Sequence, residues 1–170
     1  FFAGRPTLSK GIQYVIQSTK QLDFPWQIEI AGSIPENPDK ISKNMSLFFN
    51  DERCKFLGQI SNLEVLEKMK KSHVFLFPSL FEGFGQVLLE SVSCGLPIIT
   101  TNNTAGCDLI EDNKNGFLTP IRDINKTTKI LNDLYRDDEL RKSIAENAFS
   151  NLYKYSWEKY QKELIKTIRC

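Results

Sequence analysis

Six short apolar runs alternate with helical patterns along the sequence, and this alternation limits the folds open to the chain. Each run is continuously apolar, which is typical of strands covered on both faces of a parallel sheet. The predicted strands are Phe1–Gly4, Trp26–Ala31, Cys54–Leu57, His73–Phe77, Pro97–Thr101 and Gly116–Leu118. Strands that alternate with helices form right-handed βαβ units. The sequence therefore predicts an α/β fold with a doubly wound parallel sheet of about six strands and helices on both faces.

Capping signals predict where most of the helices begin. Ser61 with Glu64 has the pattern of a capping box, and Asp123, Asp137 and Ser156 stand where a helix needs an N-terminal cap. The apolar faces of the predicted helices run through Ile12–Leu22, Leu66–Met69, Val87–Val92, Ile124–Leu134, Leu140–Leu152 and Trp157–Ile168. The last three helices have no strand between them. We expect them to pack over the edge of the sheet or to reach beyond it.

Two prolines interrupt the pattern between the second and third predicted strands. Pro35 and Pro38 predict a loop over residues 33–39. Ile41, Met45 and Phe48 then recur at roughly helical spacing and predict a further helix after this loop.

The charge balance and the cysteine spacing exclude several classes of protein. The chain has 22 Lys and Arg against 21 Asp and Glu, a formal net charge of +1, which argues against a nucleic-acid module with a broad basic face. No apolar run approaches the roughly 20 residues that a membrane span needs. One histidine, His73, and four widely spaced cysteines give no metal-ligand cluster, so no metal site is expected. Such cysteine usage predicts reduced thiols in a cytoplasmic protein.

The loop after the first predicted strand combines positive charge with a place where ligands bind. In an open parallel sheet, ligands lie outside the carboxyl ends of the strands. Gly4 lets the backbone pass close to a ligand, Arg5 can grip phosphate oxygens with its planar fork, and Lys10 adds a point charge. The same residues also fit a surface turn with two solvated cations, and this alternative stays open.

The segment after the fourth predicted strand offers backbone donors and two carboxylates. Gly83 and Gly85 expose N–H groups at the start of an apolar helix, where the positive end of the helix dipole suits a phosphate. Glu82 lies just outside this helix, and Glu90 falls in its second turn among apolar residues. A partly buried carboxylate needs partners, and its two oxygens suit paired sugar hydroxyls. A plain helix entry with one capping and one solvated acid fits less well.

A third candidate segment follows the fifth predicted strand. Thr104, Ala105 and Gly106 are small enough for a ligand to approach closely, and Asp108 can accept a hydrogen bond from a hydroxyl. A helix N-terminus with an acid in its first turn explains the same residues equally well.

Five ordered motifs give the sequence a family resemblance. Glu82 and Glu90 form an E-x7-E pattern, and the match continues from Glu90 to Thr100. The other motifs are Gly4-Arg5 with Lys10-Gly11, Phe56-Leu57-Gly58, Asp108–Asp112 and Asn115–Leu118. Together they resemble the retaining, GT-B-fold glycosyltransferases of family 4, also called the group 1 glycosyltransferases. The order and intervals agree over essentially the whole chain.

The resemblance implies a domain of a larger enzyme. Residues 1–170 would form the Rossmann-like C-terminal half of a GT-B fold, which binds the sugar nucleotide. The N-terminal acceptor domain would be absent, and it would be a partner of this domain. The 170 residues alone are therefore expected to bind a donor weakly and to transfer no sugar.

The resemblance also assigns roles to single residues. Glu82 would meet the donor sugar and is the residue tied to catalysis, and Glu90 would bind the ribose hydroxyls. Arg5 and Lys10 would hold the donor diphosphate. The backbone amides expected to help them belong to Phe84, Gly85, Gln86 and Val87, and the residues expected to line the base pocket are Gly58, Gln59 and Ile60. Thr104-Ala105-Gly106 and Asp108 depart from the Gly-Gly pair and the Glu that the family often has there.

The reaction implied is transfer of a sugar from a UDP-, GDP- or ADP-sugar to an acceptor, with retention of configuration, in polysaccharide or glycoconjugate biosynthesis. No metal or other cofactor is expected. Two alternatives stay open: a non-catalytic nucleotide-binding or regulatory α/β module, and a GT-B-fold sugar-nucleotide epimerase. The expected location is the cytoplasm, where the full-length protein could lie at the inner face of the membrane.

A dense aromatic group stands near the C-terminus. Tyr153, Tyr155, Trp157 and Tyr160 fall within eight positions. Large apolar patches tend to associate, so the sequence predicts weak self-association through residues 153–168.

Overall fold

A computed structural model describes residues 1–33 and 51–168 of the chain. The strands are β1 (Phe2–Ala3), β2 (Ile28–Ala31), β3 (Cys54–Gly58), β4 (Phe75–Phe77), β5 (Ile98–Thr101) and β6 (Phe117–Thr119). The helices are α1 (Ile12–Thr19), α2 (Asn62–Lys70), α3 (Gln86–Ser93), α4 (Gly106–Leu109), α5 (Ile124–Arg136), α6 (Asp138–Ser150) and α7 (Trp157–Ile168), with a 3-10 helix at Leu152–Tyr155 before α7.

The strands form one doubly wound arrangement. They pair in parallel as β1-β2-β3 and β4-β5-β6. Phe1 joins the two groups, because its nitrogen donates to the Val74 carbonyl at 2.8 Å and its carbonyl accepts from the Leu76 N–H at 2.9 Å. In the resulting order, β3-β2-β1-β4-β5-β6, the strand numbers fall toward β1 and rise from β4, so the order in which the strands are added reverses between these two strands. This confirms the predicted α/β class and places the topological switch point between these two strands.

Large apolar side chains from the strands fill the centre of the molecule. Phe2 of β1 and Phe77 of β4 are buried with ring centroids 5.9 Å apart, and Phe75 stacks beside Phe77 at 5.8 Å. Burial of such a side chain contributes roughly 1.5–3 kcal/mol each. The core therefore fixes β1 against β4, the two strands whose loops lie at the switch point.

All four predicted helix caps are present. The Ser61 hydroxyl accepts from the Glu64 N–H, and the Glu64 carboxylate accepts from the Ser61 N–H. Asp123 and Asp137 each accept from a backbone N–H three residues on, at 2.9 and 2.8 Å. Ser156 accepts from the Lys159 N–H at 3.3 Å. The starts of these four helices are therefore set by local side-chain chemistry.

The last three helices pack in two different ways. Helix α5 packs on α1, with the Thr128 hydroxyl donating to the Ser18 carbonyl, and α6 packs on α5 and α3. Helix α7 reaches beyond this body, with Trp157 78 % exposed and Tyr160 55 % exposed. The aromatic group is thus at the surface, and self-association through it stays a prediction.

Several element boundaries differ from the predicted ones. Strand β2 begins at Ile28, because the Trp26 ring stacks on the Arg53 guanidinium at 4.0 Å instead of entering the sheet. Helix α1 ends at Thr19, and Leu22 lies in the turn that follows. The predicted loop beyond Ser33 and the predicted helix with Ile41, Met45 and Phe48 lie outside the described residues.

In the parts of the chain that the structure covers, every helix is too short or too polar to cross a lipid bilayer.

Two glycines test how closely the loop after β1 approaches β4. Gly11 has φ +74°, and a Cβ on it would lie 1.9 Å from the Pro78 carbonyl oxygen. Gly95 has a similar φ of +64° with open space around it. A left-handed conformation costs an L residue about 1–2 kcal/mol. We expect Gly95→Ala to lower the free energy of unfolding by about that amount, and Gly11→Ala to lower it by clearly more, because a backbone atom must also move. Urea unfolding of both variants measures the difference, and equal losses would contradict this packing.

Candidate functional site

The loops after β1 and β4 meet at the carboxyl edge of the sheet. The Leu80 N–H donates to the Ser9 carbonyl at 2.8 Å, and the Ser79 hydroxyl donates to the same oxygen at 3.1 Å. Ser79 is fully buried. The two loops that the sequence singles out for cations and carboxylates are therefore fastened to each other at the switch point.

Lys10 and Glu82 form an ion pair across these loops. Their side chains are 27 % and 21 % exposed, so both still face solvent. The Lys10 ammonium also lies 5.9 Å from the centre of the Phe77 ring. The predicted phosphate-binding cation and the predicted catalytic carboxylate are thus neighbours, and a bound anion would compete with Glu82 for Lys10.

Asn103 brings the loop after β5 into the same site. Its carbonyl accepts from the Glu82 N–H at 3.2 Å, and its side-chain amide donates to the Leu80 carbonyl at 3.2 Å. Asn103 therefore holds the segment that carries Glu82. Sequence reasoning missed this residue, although its place directly after a central strand is a signal of the kind that identified the other two loops.

The N-terminus of α3 lies beside Glu82 and lacks a side-chain cap. Gly85 precedes the helix with φ +67°, and no side chain of the described residues caps it. A Cβ on Gly85 would lie 3.0 Å from Cγ of Glu82, so glycine lets this side chain lie over the helix start. The first N–H groups of a helix attract anions. Phe84 and Gln86 are exposed and Val87 is half-buried, as is Gly85.

Arg5 lies in the turn after β1, in the same loop as Lys10. It follows Gly4, whose N–H donates to the Ala31 carbonyl at 2.8 Å and whose φ is +133°. The Arg5 side chain is exposed. The turn after β1 thus fixes the backbone and leaves the guanidinium available to solvent and ligands.

Glu90 lies in the second turn of α3 and is half-buried, as predicted. Its Oε1 accepts from the side-chain amide of Asn62 at 2.8 Å. Asn62 is the first residue of α2, directly after the Ser61 cap. Sequence reasoning missed Asn62, because the two residues are 28 positions apart and only the packing of α2 on α3 brings them together.

The residues predicted to line a base pocket form the turn between β3 and α2. Gly58 has φ +68°, and its carbonyl accepts from the Gly32 N–H at 2.8 Å. Gln59 is exposed, and Ile60 is half-buried against the core. This turn therefore leads directly into Asn62 and stands on the Glu90 side of the site.

The loop after β5 uses its threonine internally. The Thr104 hydroxyl accepts from the Gly106 N–H at 3.0 Å and donates to the Thr101 carbonyl at 2.9 Å, and the residue is buried. The reading of this segment as a helix N-terminus is confirmed, because α4 starts at Gly106 and carries an exposed Asp108 in its first turn. The Thr104 hydroxyl is therefore a turn cap and is not directed at a ligand.

Away from these loops, a cavity of about 790 Å³ lies at the opposite edge of the sheet, next to the strand starts at Phe1, Ile28 and Val74. It is far from the carboxyl ends of the strands. Within residues 1–33 and 51–168, no group of three or more His, Cys, Asp and Glu side chains is placed to hold a metal ion.

The fold and these loops define a doubly wound domain whose carboxyl edge carries two cations, an uncapped helix start and two carboxylates. The sequence matches the family described as "Glycosyl transferases group 1" over residues 1–151. The chain belongs to this family. It is 30 % identical over 158 residues to the uncharacterized glycosyltransferase MJ1178 of Methanocaldococcus jannaschii, and the match covers 93 % of the chain and 44 % of that relative. The chain spans less than half the length of this relative.

Solved structures confirm the GT-B architecture. HepE of Anabaena in complex with UDP aligns with a TM-score of 0.86 at 21 % identity, over 99 % of the chain and 48 % of HepE. The C-terminal domain of the group 1 glycosyl transferase LpcC of Francisella tularensis aligns with a TM-score of 0.81 at 24 % identity, over 92 % of the chain and 86 % of that domain. The described fold is therefore that of one half of a GT-B enzyme.

Removal of the Thr104 hydroxyl tests its structural role. Thr104→Val keeps the shape and leaves the buried Gly106 N–H without its acceptor, so we expect the free energy of unfolding to fall by about 1–3 kcal/mol. Thr167→Val is the control, because its hydroxyl donates to the Glu163 carbonyl on the exposed helix α7; a change within about 0.5 kcal/mol is expected there. Thermal or urea unfolding measures both. Equal stability of the two variants would contradict the internal role of Thr104.

Proposed function

We propose that this chain is the donor-binding domain of a retaining family 4 glycosyltransferase. The full-length enzyme transfers a sugar from a nucleotide-diphosphate sugar to an acceptor in polysaccharide or glycoconjugate biosynthesis. The observation that carries the proposal is the meeting of Lys10, Glu82 and the uncapped start of α3 at the switch point. HepE of Anabaena, which has the same fold, forms crystal complexes with UDP and with UDP-glucose, and this supports the proposal.

The diphosphate lies between the turn after β1 and the start of α3. Arg5 and Lys10 supply two positive charges, and the amides of Phe84, Gly85, Gln86 and Val87 supply donors at the positive end of the helix dipole. These groups stabilise the negative charge that develops on the leaving nucleoside diphosphate. Their combined charge serves that purpose without a bound metal, so no cofactor forms part of this proposal.

Glu82 meets the donor sugar. Because it pairs with Lys10, the Glu82 carboxylate lies beside a cation that would hold the diphosphate. The donor sugar is attached to that diphosphate. In the transfer, the bond between the anomeric carbon and the phosphate oxygen breaks, and a bond from that carbon to the acceptor oxygen forms on the same face. The acceptor proton leaves with the departing phosphate. A carboxylate beside the ring favours the positive charge that builds up on the anomeric carbon.

The nucleoside lies on the other side of the diphosphate. Glu90 accepts hydrogen bonds from the ribose hydroxyls, for which its two oxygens are suited. Gly58, Gln59 and Ile60 line the base pocket at the turn after β3. The choice of base depends on contacts of this turn. The acceptor and its linkage depend on the rest of the full-length protein.

The donor site is tested by titrating the chain with UDP, GDP and ADP by calorimetry. We expect one nucleotide to bind selectively. Arg5→Ala and Glu90→Ala should each weaken that binding about tenfold to a hundredfold, since hydrogen bonds to charged groups contribute about 1.5–3 kcal/mol. Arg136→Ala is the matched control, because Arg136 lies on helix α5, away from this site, where it pairs with Asp23, and an unchanged affinity is expected. A folded chain that binds no nucleotide, or binds all three alike with no effect of either substitution, would favour a non-catalytic module.

Glu82 gives a second, directional test. Because this carboxylate competes with the diphosphate for Lys10, Glu82→Gln should strengthen binding of the free nucleoside diphosphate about twofold to fivefold. The same change should lower the preference for the nucleotide sugar over the nucleotide, because the sugar loses its partner. Lys10→Ala should weaken both ligands. Weaker binding of the free nucleotide by Glu82→Gln would contradict the placement of Glu82 beside the sugar.

A further inference from the structure

One hydrogen bond joins the two elements of the nucleoside side. The Asn62 side-chain amide donates to Oε1 of Glu90 at 2.8 Å, from the first residue of α2 to the second turn of α3. Among the described residues, Asn62 is the hydrogen-bond donor to the Glu90 carboxylate. Oε2 is therefore the oxygen left to accept from a ligand.

Asn62 is held in place independently of Glu90. The capping box of Ser61 and Glu64 fixes the start of α2. Helix α2 in turn packs on α3, where the Cys94 thiol donates to the Leu66 carbonyl at 3.7 Å and Met69 is fully buried. Since its backbone position is set by a cap and by packing, the Asn62 amide can orient the half-buried Glu90 carboxylate, whose side chain has one more rotatable bond.

This contact also lies between the turn proposed to line the base pocket and the carboxylate proposed to bind the ribose. The turn at Gly58–Ile60 runs directly into Ser61 and Asn62, so a base on that turn and a ribose on Glu90 stand on either side of the Asn62 amide. A carboxylate restrained at one oxygen loses fewer rotamers when the other oxygen binds, and such preorganisation increases affinity.

We propose that Asn62 is a positioning residue that turns Oε2 of Glu90 toward the ribose hydroxyls and so sets the preference for ribose-containing nucleotides. This inference rests on the proposed donor site. It assigns to Asn62 no contact with the reacting atoms, and its effect acts through Glu90.

The readout is a ratio of affinities that a purely structural role leaves unchanged. The unaltered chain is titrated with whichever of UDP, GDP and ADP binds most tightly, and with the 2′,3′-dideoxy form of that nucleotide. The ratio of the two dissociation constants measures ribose discrimination. We expect Asn62→Ala to reduce this ratio about threefold to tenfold, the value of one hydrogen bond. Asn62→Asp should reduce it at least as much, because it removes the donor and places a like charge against Glu90.

Glu67→Ala is the matched control on the same helix. It removes the exposed ion pair with Lys70 further along α2, so the ribose ratio should stay within about twofold of that of the unaltered chain. Thermal unfolding of every variant confirms that the compared proteins are folded. A ratio unchanged in both Asn62 variants would overturn the inference and leave the donor site standing. If the unaltered chain binds the dideoxy form as well as the ribose form, the role of Glu90 fails and the inference with it. If it binds none of the three nucleotides, the proposed function itself fails.

Discussion

The structure depends on the contact between β1 and β4. Phe1 bonds to both Val74 and Leu76, and the rings of Phe2 and Phe77 pack together beneath the sheet edge. Because these strands are more than 70 residues apart in sequence and adjacent in space, their loops must share the space above them. Gly11 meets this demand by leaving room for the Pro78 carbonyl. The site exists because the core forces two chemically different loops together.

The charges of the site follow from this junction. One loop carries cations and the other carries a carboxylate and an uncapped helix start, so Lys10 and Glu82 neutralise each other when no ligand is bound. An anion that displaces Glu82 from Lys10 gains the cation and the helix start together. We expect a site of this kind to favour a ligand with two parts. One is a polyanionic part, and the other is a neutral polar part that can contact the carboxylate released from Lys10. A nucleotide-diphosphate sugar has both parts.

Local sequence signals predicted most of the fold. The features that they missed depend on contacts between segments that are distant in the sequence. The apolar runs and the caps at Ser61, Asp123, Asp137 and Ser156 are short-range patterns, and all of them appear in the structure. The loops with Arg5, Lys10 and Glu82 were predicted because ligand sites follow strand ends. Asn62 and Asn103 were missed because polar residues in turns are common, and only the packing of one element on another shows what they hold.

The most direct test is to map the residues whose amide shifts change when a nucleoside diphosphate binds. Backbone amide shifts from 15N-labelled protein, followed by NMR during a titration, report this residue by residue. We expect the largest shifts on residues 4–11, 58–62 and 82–90. Largest shifts at Trp26, Tyr135 and Arg141, which line the cavity of about 790 Å³ at the opposite edge of the sheet, would contradict this expectation.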